Sequence, residues 1–303
     1  MKMRFLYIAL ISFLLFSMGC TEEESVRMPI VDISFSPAII SNTRATQGTY
    51  PSDAPFEVWA YYLPKSKMWS DNCGEAQQLT AGHKVEYNGS EWLPTPALVW
   101  PSDNNVTFIA SAPLNIDTDF SIEDGIIIKD FDVMSGVLPL FTEPVADCDA
   151  YNTNGYIALP FIHALSKVEF EVRSVILSDS VIKLKSLYMD NIMYKGNFNS
   201  LPEPTWEPYG ETMRVDFCND EIVVGRISTS VGWKMIMGQY INNKVVLIVD
   251  ILDSEGNTLV HDRKIELSLI VDRWQAGKYY KYTLNLTTDS ASFETEVFER
   301  FNI

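Results

Sequence analysis

The sequence is poor in histidine, poor in basic residues and without sustained helical periodicity, and each shortage removes a class of function. Its three histidines, His83, His163 and His261, stand far apart, and none lies in an HExxH pattern, so no familiar zinc framework is present. Ser166 has no GxSxG elbow around it, which leaves the neighbouring His163 better read as a structural, hydrogen-bonded imidazole. Lysine and arginine number 23 against 40 acidic residues, a formal net charge of −17. With no basic cluster anywhere, that balance opposes nucleic acid and anionic headgroups as partners. The acidic loops "NIDTDFSIEDG" and "ADCDAYNTNG" lack the spacing of an EF-hand. No catalytic constellation can be assembled. The expectation is a protein that is not an enzyme, with no catalytic residues, no metal and no cofactor.

What is present is strand-forming sequence in quantity. With 47% apolar and 12% aromatic residues, the 303-residue chain can bury one large core or two medium ones. From Arg27 onward, short runs rich in Val, Ile, Phe and Tyr are broken by Asn, Asp, Gly and Pro. "FEVWAYYL" (56–63), "VTFIASAP" (106–113), "KVEFEVRSVIL" (167–177), "IKLKSLYMDNI" (182–192), "KVVLIVDIL" (244–252), "RKIELSLIV" (263–271) and "KYYKYTLNL" (278–286) predict strands. No apolar pattern at 3.6-residue spacing lasts beyond about two turns, which points to packed antiparallel sandwiches. The turn-rich segment 146–160 divides the chain, giving expected domains at 45–159 and 160–303.

The N-terminus has a different texture. Lys2 and Arg4 precede a continuous apolar run, Phe5 to Phe16, of signal-peptide length. Gly19–Cys20 follows, so residues 1–19 read as a lipoprotein signal peptide and Cys20 as the lipidated (palmitate-bearing) residue. Ser17 stands where such lipoboxes usually have Leu. An acidic tether, "TEEES", comes next, and residues 20–44 are read as a propeptide. Within it Val31, Ile33 and Phe35 alternate with Asp32, Ser34 and Ser36, the period of a strand with one buried face. Arg44 and Ala45 lie just beyond, among small and turn-forming residues. Of the remaining cysteines, Cys73 and Cys148 sit in polar loops and are the preferred disulfide pair, while Cys218 reads as a buried free thiol.

Five segments stand in order along the chain: "NTRAT" before "FEVWAYY", "WPSDNNVTFIASAP", "LPFIHALSKVEFEV", "MIMGQ" and "DRWQAGKYYKYTLNL". Together they resemble the fimbrillins, the type V pilins of Gram-negative gut and oral bacteria. The resemblance implies an all-β fold of two tandem transthyretin-like antiparallel β-sandwiches. It also implies export through the periplasm as an outer-membrane lipoprotein. A trypsin-like, Arg-specific protease would cut between Arg44 and Ala45, removing the strand of Val31, Ile33 and Phe35. A strand from another fimbrial subunit would replace it by donor-strand exchange, supporting cell adhesion from the fimbrium. A lone surface arginine is otherwise a solvated charge, and that reading of Arg44 stays open.

The C-terminal segment "TTDSASFETEVFERFNI" places Phe293, Val297, Phe301 and Ile303 on one parity, but Glu299 interrupts it. A tip or accessory subunit, which only accepts a strand, fits as well as a stalk subunit. Two other readings remain at this stage. An uncleaved anchor would keep its lipid. A glycan-binding surface lipoprotein would use tryptophans in polar or Pro-rich loops, Trp69, Trp92 and Trp206 with Tyr209.

Overall fold

Alternating sequence becomes strand throughout. The computed structural model describes residues 32–40, 48–114, 116–153, 156–218 and 220–301; Cys20, Val31, Arg44, Ala45 and Ile303 lie outside them. In chain order the first strands are β1 (Ser34–Ile39), β2 (Gly48–Thr49), β3 (Phe56–Pro64), β4 (Gln77–Tyr87), β5 (Trp92–Thr95) and β6 (Asn104–Ala112). They continue with β7 (Thr118–Ser121), β8 (Gly125–Asp132), β9 (Leu140–Thr142), β10 (Val145–Cys148) and β11 (Tyr156–His163). The one α-helix among the described residues, α1 (Trp69–Asn72), interrupts them as a single turn.

Nine of these strands form one sheet, ordered β10-β6-β3-β4-β5-β1-β11-β9 with β2 on β1. Strand β9 pairs with both β11 and β6, so the sheet closes on itself. Its interior is aromatic: Tyr50, Phe56, Trp92, Phe108 and Phe161 pack with Ile33, Phe35 and Val58. Residues of opposite parity, such as Trp59 and Ile109, are buried on the outside of the same sheet. There they meet Ile126, Ile128 and Phe131 of β8, which belong to the next sheet.

The remaining strands are β12 (Ser166–Ser174), β13 (Val181–Asn199), β14 (Thr205–Asp216), β15 (Ile222–Val224) and β16 (Thr229–Ile236). Then come β17 (Lys244–Leu252), β18 (Thr258–Ser268), β19 (Tyr279–Leu286) and β20 (Ala291–Phe298). A seven-stranded sheet, β18-β17-β13-β8-β7 with β14 and β15 on β13, shares a core with the four-stranded sheet β16-β12-β19-β20. Val168, Phe170, Tyr282 and Leu284 of the small sheet pack with Leu184, Leu187, Val245 and Leu247 of the large one. The long β13 passes β14 closely at Gly196, where an added Cβ would lie 2.8 Å from the Glu207 carbonyl oxygen.

The all-β architecture is as expected, but the halves interlock. The boundary placed between residues 159 and 160 falls inside β11, a strand of the first sheet. Strands β7 and β8 come from the first half yet pair into the second, with Ile128 opposite Phe198. A third core containing Trp59, Ile109, Phe141 and Ile162 with Ile128, Phe198 and Trp206 joins the two lobes. Burial of that apolar surface rewards sharing strands over separating them.

Candidate functional site

The removable strand expected around Ile33 is a central member of the closed sheet. Ile33 and Phe35 are 1% and 2% exposed. Ile33 N–H donates to the Leu98 carbonyl at 2.9 Å, and Ile40 N–H to the Phe161 carbonyl at 2.9 Å. Between them β1 runs parallel to β11 through six residue pairs, from Ser34–Tyr156 to Ile39–Phe161. On its other side it meets β5 at Phe35–Trp92 and β2 at Ala38–Thr49 and Ile39–Gly48. Pro37, which has no N–H to give, falls in the gap between those two partners, where its missing donor costs least.

The Phe35 ring meets Phe56 and Phe108 edge-on, at 6.1 and 5.5 Å between centroids. Just past the junction, Tyr50 stacks on Phe161 at 5.0 Å and meets Trp92 at 5.4 Å. Burying Ile33 and Phe35 contributes about 1.5–3 kcal/mol each. Taking β1 out opens the ring between β5 and β11 and leaves backbone groups on β11 without partners, at about 1–3 kcal/mol for each that stays buried. Val31, Arg44 and Ala45 lie outside the described residues. The ends flanking the Arg44 segment are neighbours, since Ile39 pairs with Gly48.

The expected disulfide is absent. Cys73 and Cys148 are both free, as is Cys218. Cys148 turns inward from β10 into the first core, with its Sγ 3.6 Å from the Val145 carbonyl, while Cys73 sits in the turn after α1. Burial first, and Asp147 and Asp149 second, push the Cys148 thiol up to about 11. Cys218 is buried as expected, with its thiol donating to the Asp220 carbonyl.

His163 is structural, but it is not hydrogen-bonded. Neither ring nitrogen has a partner, and the ring is 5% exposed at the end of β11. Phe301 covers it. Burial, and then the Lys167 charge, pull the imidazole down to about 4.

The tryptophans proposed as sugar platforms are mostly interior. Trp92 and Trp206 are 8% and 2% exposed, and Trp206 Nε1–H donates to the Ala164 carbonyl at 2.6 Å. Half-buried Trp69 lies beside Tyr61. One carboxylate in each acidic loop is engaged in a turn: Asp149 accepts the N–H groups of Tyr151 and Asn152, and Asp124 pairs with Ser121. One grouping escaped sequence reasoning because it depends on cross-strand register. Asp250, His261 and Asp262 bring possible ligand atoms within 4.8 Å of one another. Lys185 Nζ, 2.7 Å from Asp262 and 3.7 Å from Asp250, already supplies the cation there.

Comparison with known proteins gives a family. The sequence profile described as fimbrillin-like matches residues 43–298, and the chain belongs to that family. Among solved structures, a fimbrial protein from Bacteroides vulgatus superposes with a TM-score of 0.63 at 14% identity, covering 88% of this chain and 98% of its own. Putative cell adhesion proteins from Bacteroides uniformis and Bacteroides ovatus both give a TM-score of 0.55, at 14% and 12% identity. They cover 88% and 90% of this chain, and 98% of their own chains in each case. No curated protein matches the sequence.

Proposed function

We propose that the protein is a subunit of surface fimbriae that serves in cell adhesion. It is exported through the periplasm as a lipoprotein on Cys20, cut after Arg44 by a trypsin-like, Arg-specific protease, and assembled by donor-strand exchange with other fimbrial subunits. The observation that carries this reading is the place of β1. A single short strand, joined to the rest through the Arg44 segment, fills the sheet between β5 and β11 and covers an aromatic interior. One cut separates it covalently from everything it packs against. The vacated edges then offer backbone groups and apolar pockets to a strand of like pattern.

The test is the N-terminal mass of the protein from cell-surface material, before and after trace trypsin. A form starting at Ala45 without acyl mass supports the proposal. A trypsin-resistant form still starting at acylated Cys20 refutes the cleavage step and favours an anchor. Among the subunit roles, tip or accessory is favoured by the C-terminal segment. It is committed to its own fold as β20, with eight residue pairs to β19, and Phe301 beyond it is buried. The glycan-binding alternative loses support with the burial of Trp92 and Trp206.

A further inference from the structure

Parity places Ser34 and Ser36 on the outer face of β1, opposite Ile33 and Phe35. Ser36 is exposed there, yet Ser34 is only 7% exposed. The side chains flanking this face are identifiable. Tyr156 is the β11 partner of Ser34, and Glu91 directly precedes Trp92, the β5 partner of Phe35. Continuing that antiparallel register places Glu91 opposite Ser36. Tyr156 Oη donates to Glu91 Oε1 at 3.1 Å, so the two side chains meet from opposite sides of β1. They form a strap across the outside of the strand, tied between the two edges that β1 joins. The outward residues of β1 between these two side chains, Ser34 and Ser36, are small.

Resting on the strand-exchange reading above, we infer that the β1 groove selects its incoming strand from outside as well as from within, and that it rejects this chain's own C-terminal strand. An acceptable strand carries apolar side chains at the Ile33 and Phe35 positions. It carries small uncharged ones at the Ser34 and Ser36 positions. The more apolar parity in β20 is Ala291, Phe293, Thr295 and Val297, and it turns Glu294 and Glu296 outward. One of these two carboxylates would then lie beside or opposite Glu91, and like charges facing each other across strands are destabilising. Glu299, on the inward parity, would enter an aromatic core. Copies of this chain therefore do not feed one another, and the donor is a different subunit whose strand has the large–small alternation of residues 33–36.

The test uses the full chain cut at a protease sequence placed in segment 42–47, with the severed strand exchanged in mild denaturant against fluorescent peptides. Anisotropy compares a peptide of residues 32–40, the same peptide with Ser34→Glu, and a peptide of residues 290–301. We expect the first to bind at least ten-fold more tightly than either other, Glu91→Gln to narrow the gap for the Ser34→Glu peptide, and the cut protein to stay monomeric. Equal binding of all three peptides, or self-association of the cut protein, overturns the selectivity while leaving strand exchange intact. An unaltered discrimination in Glu91→Gln overturns the role of the strap. Failure of every peptide to enter, including residues 32–40, overturns this inference together with the strand-exchange reading.

Discussion

The Phe301 ring lies flat on the His163 imidazole, with centroids 4.9 Å apart and planes 7° from parallel. The contact seals a residue just beyond β20 onto the end of β11, and it leaves both imidazole nitrogens buried without partners. Around it, Arg300 pairs with Glu143 at 3.1 Å and Lys278 with Glu299 at 3.2 Å.

This seal makes stability depend on pH. His163 is held down to about 4 by burial and by Lys167, whereas an unfolded histidine titrates near 6.5. Between those values the unfolded chain binds the proton and the folded one does not. Stability from this group is therefore complete above about pH 6.5 and is lost progressively as pH falls toward 4, by about 3 kcal/mol in all. Urea unfolding across that window should show the loss, and His163→Leu should flatten it. Phe301→Ala should raise the imidazole titration toward 6.5 in an NMR pH series.

In the uncut chain, Phe35→Ala removes an aromatic ring that touches Phe56 and Phe108 in a closed interior. The expected loss is about 3–5 kcal/mol by denaturant unfolding. Ser36→Ala, on the exposed outer face, should fall within about 0.5 kcal/mol of the parent. Equal effects would mean that β1 does not bury one face.

Thiol chemistry separates the three cysteines beyond Cys20. With no disulfide, unfolded protein should bind three equivalents of a thiol reagent at Cys73, Cys148 and Cys218 without prior reduction. Native protein should react quickly only at half-buried Cys73, because burial shields the other two thiols and raises their pKa values. A mass deficit equivalent to two hydrogens would show a disulfide instead.

Gly125 starts β8 with φ of 70°, and an added Cβ would meet Leu201 at 2.9 Å and press on the Ser200 hydroxyl, which accepts from Ile126 N–H. Gly125→Ala should cost about 2 kcal/mol through backbone strain and the displaced hydrogen bond. Thermal unfolding measures it, and Gly89→Ala, in open space though also at positive φ, provides the strain-only reference.

On the proposed processing at Arg44, trypsin should cut native protein there before it cuts the lysines of the folded lobes, and Arg44→Ala should abolish that early cut. Persistence of the cut in the variant, read by mass, would move the processing site elsewhere.

Sequence alone marked several of the strands, and for β1 the face that is buried, because alternation is a local property. "KVVLIVDIL" is β17 residue for residue, and the alternation of Ile33 and Phe35 marks the buried face of β1. The resemblance motifs also lie within the matched family span, apart from its first residue. Tertiary structure decided what depends on which strands become neighbours. It placed β7 and β8 in the second sheet, paired Phe301 with His163, kept Cys73 from Cys148 and joined Tyr156 of β11 to Glu91 beside β5. Those contacts join residues up to 138 positions apart, as between His163 and Phe301. Local pattern carries no information at that range; register and the burial of shared apolar surface do.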